Sequence, residues 1–258
     1  MKQIGCILRL AIALCALPVA GVAADQTVHP GTYYLSETMK KLQNDDVANP
    51  GMLWVSEGEE LWERPAGPEQ KSCASCHQRA EETMKGVAAR YPAVAEASGE
   101  LFNLEKRINH CRTTHQKAEP LAYESDELLA LTAFVAHQSR GLPMNVRTNG
   151  TAEPYFEAGR KRFHQKLGQL NLSCAQCHDD NAGRQLRGDT ISHGLGNGYP
   201  AYRLEWQTLG SLHRRLRACS YGVRAVQFDY GSPEYLSLEL YLAKRAEGLA
   251  VETPAVRK

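Results

Sequence analysis

A five-residue pattern, C-x-x-C-H, occurs twice in this chain and constrains its fold more than any other feature of the sequence. The copies are CASCH at 73–77 and CAQCH at 174–178. In this pattern two thiols bond covalently to one haem and the histidine binds its iron. A zinc site is the main alternative, but zinc-binding cysteine pairs usually lie about 15–20 residues apart, whereas these lie about a hundred apart. The sequence therefore predicts two haem c groups, attached through Cys73, Cys76, Cys174 and Cys177, with His77 and His178 on the irons.

The first 24 residues have the pattern of a secretory signal peptide. Lys2 and Arg9 supply positive charge, residues 10–20 are mostly apolar, and residues 22–24 are small, as at a cleavage site. The apolar stretch is too short to cross a membrane. We therefore expect a mature protein that starts at Asp25, is exported to the periplasm and is not anchored in a membrane. Export agrees with haem attachment, which normally takes place outside the cytoplasm.

The charge of the chain argues against a nucleic-acid partner. The sequence holds 30 Lys and Arg against 29 Asp and Glu, and cleavage of the predicted signal peptide removes only Lys2 and Arg9 from this balance. The mature chain is therefore nearly neutral and has no basic tail, whereas proteins that bind nucleic acid usually carry a basic block or arm.

The remainder of the chain can be laid out as two copies of one unit. Gly58 and Gly159 each lie 15 residues before a C-x-x-C-H motif, and residues 125–142 match residues 232–249 without a gap. Agreement at several spacings predicts an internal duplication. The predicted organisation is a signal peptide at 1–24, an N-terminal extension at 25–50 that wraps the first domain, a first domain at 51–145 and a second domain at 146–258.

Each copy is predicted to be mainly α-helical. Ser125 and Ser232 suit the N-cap position, and apolar residues follow them at helical spacing. Residues 100–112 and 203–218 are also helical by composition, and each segment runs into a further cysteine. Strand-type alternation is scarce. The expected fold class is mainly α, with two cytochrome c-like helical domains related by internal duplication, each with one covalent haem c.

The two cysteines left outside the motifs, Cys111 and Cys219, fall at equivalent positions of the two copies. A haem iron bound by histidine on one face usually takes a second axial ligand, often methionine, yet the second copy contains no methionine. We therefore predict the axial pairs His77/Cys111 and His178/Cys219. At this point a Cys111–Cys219 disulfide or inert buried thiols also remain open, as do other ligands for the first haem (Met84, Met144, His110) and for the second (His193, His213 and a few lysines).

The sequence becomes basic near Cys219, with His213, Arg214, Arg215, Arg217 and Arg224 close by and Arg203 further upstream. Arg215 lies four residues before Cys219, so both side chains face the same way on a helix. A guanidinium there can hold the sulfur as a thiolate or bind an oxyanion through forked hydrogen bonds. A solvated basic face or a contact with a haem propionate would explain it as well, and Arg107 stands in the same relation to Cys111. Because the second site carries more positive charge, it is the better candidate for anion binding.

The chain resembles the SoxA family, the catalytic cytochrome subunits of the periplasmic thiosulfate-oxidising Sox system. The resemblance covers nearly the whole mature chain and is most specific at residues 215–219 (RLRAC) and 231–249. It implies a heterodimer with a smaller c-type cytochrome, SoxX. It also implies an oxidative reaction that joins thiosulfate to a cysteine of the SoxYZ carrier, while two electrons pass through haem to an external cytochrome c.

The resemblance also implies roles for individual residues, and the activity of an L-cysteine S-thiosulfotransferase. Cys219 corresponds to the family's active cysteine, which is reported as a persulfide on the haem iron, and Arg215 to its substrate-binding arginine. The implied haem ligands are Cys73, Cys76, His77, Cys111, Cys174, Cys177, His178 and Cys219.

Two other functions are compatible with two haems. A dihaem electron carrier would need no sulfur chemistry, although thiolate ligation of the second haem would lower its potential and disfavour simple shuttling. A dihaem peroxidase would need an iron with an open axial position. Lys244 and Arg245, in the last predicted helix, are further candidates for anion binding, although a solvated helix end is the simpler explanation.

Overall fold

A computed structural model describes residues 27–258, so the predicted signal peptide at 1–24 lies outside the described residues. The described chain is mainly helical, as predicted, and none of its helices is long and apolar enough to cross a membrane. The helices are α1 (Glu37–Asn44), α2 (Met52–Glu63), α3 (Ala74–His77), α4 (Ala80–Thr83), α5 (Leu104–Cys111), α6 (Asp126–His137), α7 (Glu153–His164), α8 (Cys174–His178), α9 (Leu212–Gly222) and α10 (Pro233–Arg245). The strands are β1 (Ala93–Val94), β2 (Leu101–Phe102), β3 (Gln185–Leu186), β4 (Asp189–Thr190), β5 (Ala201–Arg203), β6 (Thr208–Gly210) and β7 (Ala255–Arg257).

Each half is built on one close crossing of two helices, α2 with α6 and α7 with α10. A Cβ atom on Gly58 in α2 would lie 2.2 Å from the carbonyl oxygen of Ala130 in α6. A Cβ atom on Gly159 in α7 would lie 2.0 Å from the carbonyl oxygen of Ser237 in α10. Only glycine permits backbones to approach so closely. Because both glycines and both carbonyls occupy equivalent sequence positions, the predicted internal duplication is confirmed.

The two serines that were predicted to start the closing helices do so. The side chain of Ser125 accepts a hydrogen bond from the backbone N–H of Leu128, and the side chain of Ser232 accepts one from the N–H of Tyr235. Each bond satisfies one of the free N–H groups at a helix start. The helices that follow, α6 and α10, are the most deeply buried of the described chain.

The predicted helix over 203–218 is wrong in its first half. β5 and β6 form an antiparallel hairpin, and β5 also pairs in parallel with β7 near the end of the chain. The helix α9 begins only at Leu212, where the side chain of Ser211 caps it. The other edge of β5 pairs with β7, some fifty residues away, and a pairing of that range leaves no local pattern in the sequence. Similarly, α5 begins at Leu104 and not at residue 100.

The N-terminal extension packs mainly on the second half of the chain, so the expectation that it wraps the first domain is wrong. Asn49 Nδ2 donates to the carbonyl of Pro254 at 2.9 Å, and the backbone N–H of Val256 donates to Gln43 Oε1 at 3.1 Å. These side chains satisfy backbone groups of β7 and of the residue just before it, and β7 also pairs with β5. The backbone groups at a buried strand edge need hydrogen-bond partners. The polar side chains of the extension supply them, so the extension packs against β7.

A cluster of ionisable side chains is buried where the two halves meet. Glu105 is 7% exposed and His213 is 1% exposed. His213 Nδ1 accepts from the N–H of Gly231, so the proton is on Nε2, which lies 3.0 Å from Glu239 Oε2. Asn103 Nδ2 also donates to this oxygen at 3.0 Å. Burial, together with the charge of Glu239, raises the pKa of Glu105 to about 7.

This cluster should make the protein less stable as the pH rises. The folded-state pKa of Glu105 lies above its unfolded value, so its contribution to stability is full below about pH 4.5 and is lost as the pH rises through about 7. Burial lowers the pKa of His213, but the hydrogen bond and charge of Glu239 outweigh burial and raise it. The His213 contribution is therefore also lost with rising pH.

Glu105→Gln, which cannot ionise, should largely remove this decline. At pH 7.5 we expect the free energy of unfolding of the variant to exceed that of the wild type by roughly 1–3 kcal/mol, with little difference at pH 4.5. Urea unfolding at several pH values measures this. Glu127→Gln, an exposed change on α6, is the control. Parallel wild-type and Glu105→Gln profiles would show that the Glu105 carboxylate is not the cause.

Candidate functional site

Two helices, α8 and α9, bring the second C-x-x-C-H motif opposite Cys219. α8 is capped by Ser173, whose hydroxyl accepts from the N–H of Gln176 while the Gln176 side chain accepts from the N–H of Ser173. This reciprocal cap fixes the start of a helix that holds Cys174, Cys177 and His178. Cys174 packs against the same core cluster as Leu216 of α9. The two helices therefore face each other across one site.

The ring of His178 is held so that one nitrogen remains free. Its Nδ1 lies 2.6 Å from the carbonyl oxygen of Ser192. Because a carbonyl can only accept, Nδ1 carries a proton, and Nε2 is the nitrogen left to face another group. A Cβ on Gly194 would lie 2.7 Å from His178 Cγ, so only glycine leaves space for the ring. A backbone carbonyl that orients a histidine in this way is a common feature of metal-binding histidines.

The Cys219 sulfur interacts with His178 and is affected by the charges of two arginines. Burial raises the pKa of the Cys219 thiol, but its hydrogen bond with His178 and the positive charges of Arg215, His178 and Arg203 outweigh burial and lower the pKa to about 7. Since Nδ1 of His178 is engaged by Ser192, Nε2 is the nitrogen available to the sulfur. The structure thus brings together the predicted ligand pair of the second haem and the predicted anion-binding Arg215.

The first motif has a similar set of cysteines in a different environment. Cys73 and Cys76 lie near Cys111, since their charges act on one another. Burial raises the pKa of Cys111, and the nearby Arg107 opposes this without reversing it. His77 is exposed, and no hydrogen bond joins it to Cys111 in the described part of the chain. The two sites therefore share their residue types, but only the second combines its cysteine with a positive environment strong enough to favour a thiolate.

Several residues that the sequence offered as alternative haem ligands make other contacts in the structure, and the alternative disulfide is not formed. Cys111 and Cys219 are both free thiols, so they do not form a disulfide. Met144 is 5% exposed in a core cluster shared by the two halves. His213 belongs to the buried cluster at the interface, and His193 accepts a hydrogen bond from the backbone of the N-terminal extension.

The residues of the second site fit a haem c. A histidine nitrogen and a cysteine sulfur that face each other are an axial donor set that haem iron accepts, and two further thiols stand at the C-x-x-C spacing. An open cavity of about 380 Å³ lies at the end of α7, next to the segment that follows α9. The cavity is lined by Arg162, Leu167, Gly168, Gln169, Arg224, Ala225, Val226 and Phe228.

Lys244 and Arg245 are both held in ion pairs. Lys244 pairs with Glu247 at the exposed end of α10. Arg245 is half-buried, with Nη2 2.6 Å from Asp179 Oδ1 and its guanidinium 4.4 Å from the ring centroid of Phe163. Lys244 therefore lies at a solvated helix end, as the simpler explanation expected. Arg245 does not, because it forms an ion pair with Asp179, directly after His178.

Glu205 was not predicted as a site residue, and Arg203 lies on a strand and not on the predicted helix. Glu205 Oε1 lies 2.8 Å from Arg203 Nε and 3.6 Å from Arg215 Nη1. Both Arg203 and Glu205 belong to the hairpin of β5 and β6, which carries them to the α9 site. The contact of Glu205 with Arg215 joins the hairpin to α9, and the sequence pattern predicted a helix over these residues and not a hairpin.

Known proteins resemble this chain in sequence and in fold. The family model for the SoxA/TsdA cytochrome c domain matches residues 57–144 and 158–251. L-cysteine S-thiosulfotransferase subunit SoxA of Rhodovulum sulfidophilum is 40% identical over 230 residues, which span 89% of this chain and 80% of the relative. Its counterpart from Pseudaminobacter salicylatoxidans is 37% identical over 249 residues, which span 94% and 87%.

The fold agrees with the sequence. The crystal structure of SoxXA from P. pantotrophus matches with a TM-score of 0.86 and 38% identity, covering 90% of this chain and 87% of that chain. The prediction of repeated cytochrome c-like domains with haem c is confirmed by a cytochrome c family model that matches twice and by this structural match. On this evidence the chain is a member of the SoxA family.

Proposed function

We propose that this protein joins thiosulfate oxidatively to a cysteine of a carrier protein, with Cys219 as the reacting sulfur. Its family makes it an L-cysteine S-thiosulfotransferase subunit, as its relatives are named. The observation that carries the proposal is the position of Cys219, which is hydrogen-bonded with His178 and lies one helical turn after Arg215. A nucleophilic sulfur, an iron-binding nitrogen and an anion-binding guanidinium thus meet at one point.

The overall reaction is an oxidation that forms one sulfur–sulfur bond. A carrier thiol and the thiosulfate dianion give a cysteine S-thiosulfonate, one proton and two electrons. When bound, the haem supplies an acceptor for these electrons beside the sulfur, and they pass on to an external cytochrome c.

The chain's own residues hold and transfer the sulfur. The Cys219 sulfur bonds to the outer sulfur of thiosulfate and is then displaced when the carrier thiolate attacks that same outer sulfur. Arg215 neutralises the sulfonate and orients the outer sulfur toward Cys219. Displacement returns Cys219 to its starting form, so each turnover consumes one carrier thiol and one thiosulfate.

The proposal includes two haem c groups. The first would be attached through Cys73 and Cys76 with His77 and Cys111 as axial ligands. The second would be attached through Cys174 and Cys177 with His178 and Cys219. Two C-x-x-C-H motifs and two equivalent free cysteines support this count.

The proposed partners follow from the same family. The match to a SoxXA structure supports a heterodimer with a SoxX-like cytochrome c subunit. We propose a SoxYZ-like protein as the carrier substrate and the periplasm as the compartment, in agreement with the signal peptide that the sequence predicts.

A reconstituted assay tests the function. The heterodimer, purified from periplasm, is mixed with thiosulfate, a carrier with one thiol and oxidised cytochrome c. We expect cytochrome c to be reduced only when thiosulfate and the carrier thiol are both present, and the carrier mass to increase by one thiosulfate unit. Peptide mass spectrometry should find haem on both motifs. If the protein exchanges electrons with cytochrome c but the carrier stays unmodified, the protein is instead a dihaem electron-transfer cytochrome.

A further inference from the structure

The hairpin before α9 places a second guanidinium beside the site. The side chain of Arg203, at the end of β5, is only 7% exposed. Its Nε donates to Glu205 Oε1 at 2.8 Å, and its guanidinium lies 5.3 Å from the ring centroid of Trp206. A buried arginine is costly unless its donors find partners. The carboxylate of Glu205 satisfies one of these donors.

The other donors of Arg203 point to a ligand. Its Nη1 and Nη2 make no hydrogen bond to any residue between 27 and 258, although the side chain is more than nine-tenths buried. Arg215 has similar free donors, since the described residues offer its guanidinium only the 3.6 Å ion pair with Glu205. Glu205 therefore stands between two guanidiniums that both retain unused N–H groups.

Arg215 lies one helical turn before Cys219 on α9, and Glu205 joins Arg203 to Arg215. The charge of Cys219 is the largest influence that raises the pKa of Arg215, and the charges of Arg215 and Arg203 both act on the thiol of Cys219. Arg203 comes from the hairpin and Arg215 from α9, so the two guanidiniums reach Glu205 from different elements. An anion over Cys219 can therefore be held from two directions.

We infer that Arg203 is a second substrate-binding residue, which with Arg215 holds the sulfonate head of a small dianion such as thiosulfate over Cys219. This inference rests on the proposed function. Thiosulfate carries two negative charges, whereas Glu205 already offsets part of the positive charge of Arg215, so one free guanidinium would leave the dianion undercompensated. Glu205 acts as a positioning residue, because one carboxylate oxygen fixes both arginines.

Substitution of Arg203 tests the inference through substrate affinity. Arg203→Gln in the heterodimer should raise the KM for thiosulfate about tenfold to a hundredfold, the effect of losing charged hydrogen bonds, while kcat changes little. Arg203→Lys keeps the charge but loses the fork, so its KM should lie between those of the wild type and Arg203→Gln. Arg160→Gln, which removes an exposed charge paired with Glu157 on α7, is the control and should match the wild type.

Direct titration with thiosulfate separates this inference from the proposed function. If the wild type binds thiosulfate but modifies no carrier, the proposed function fails, while weaker binding by both Arg203 variants would still support the anion site. If both variants keep the wild-type Kd and KM, the inference is overturned and the function stands. A lower kcat with unchanged KM would also overturn it, because Arg203 would then act on the sulfur or the haem and not on the substrate. Unchanged haem spectra would establish that the variants are folded.

Discussion

Cys219→Ala is expected to abolish the transfer of thiosulfate to the carrier while both haem groups stay covalently attached. The attachment thiols belong to the two C-x-x-C-H motifs, so they are independent of Cys219. The variant loses the only sulfur that is hydrogen-bonded with His178 among the described residues. Loss of a covalent nucleophile typically costs several orders of magnitude in rate, and we expect turnover to fall by at least about a thousandfold.

The carrier mass and the rate of cytochrome c reduction measure this effect. Cys111→Ala is the matched variant, because it removes the equivalent cysteine from a site without the strong positive environment of Cys219. We expect Cys111→Ala to retain substantial turnover. Near-normal carrier modification by Cys219→Ala would contradict the assignment, as would an equal loss in both variants.

Gly159→Ala should destabilise the fold strongly, although it adds only one methyl group. The added Cβ would lie 2.0 Å from the carbonyl oxygen of Ser237 and 2.9 Å from Cβ of Tyr241. Alanine favours a helix over glycine by about 1 kcal/mol, but the clash is with backbone that cannot rotate away. Overpacking a core typically costs about 1–3 kcal/mol and sometimes more. Since α7 and α10 would have to separate, we expect a net loss of about 3 kcal/mol or more.

Urea unfolding at fixed pH measures the change. Gly58→Ala should behave in the same way, since its Cβ would meet the carbonyl of Ala130 at 2.2 Å. Gly188→Ala is the control, because nothing lies within 4 Å of a Cβ there, and it should stay within about 0.5 kcal/mol of the wild type. Equal midpoints for Gly159→Ala and Gly188→Ala would show that the helices can adjust to the methyl group.

The features that could be predicted from the sequence are those encoded locally. Ser125 and Ser232 mark the starts of their helices, because the side chain of an N-cap residue accepts a hydrogen bond from an N–H group only three residues later. The paired glycines at 58 and 159 are visible because the duplication preserved their distance to each C-x-x-C-H motif. Cys219 and Arg215 are one helical turn apart, so their shared face also follows from spacing alone.

The features that could not be predicted depend on contacts between distant parts of the chain. Residues 201–210 form a hairpin and not a helix, and its strand β5 also pairs with β7 near the end of the chain. The extension also makes its hydrogen bonds with a distant segment, since Gln43 and Asn49 bond to the backbone at β7. Glu205 and Arg203 reach Arg215 only because of that hairpin. The difference between the two cysteine sites likewise depends on which charges folding brings near them.

The buried cluster at the interface has a consequence for the history of the chain. Glu105 lies six residues before Cys111 and His213 six residues before Cys219, so a glutamate and a histidine now occupy what was one position in the ancestral half. A homodimer of the first half would bring two carboxylates into that space, and one of the second half would bring two imidazoles. Like charges that are buried together repel, whereas this chain buries one group of each kind, Glu105 and His213. This position therefore diverged after the duplication, and the two halves are no longer chemically equivalent where they meet.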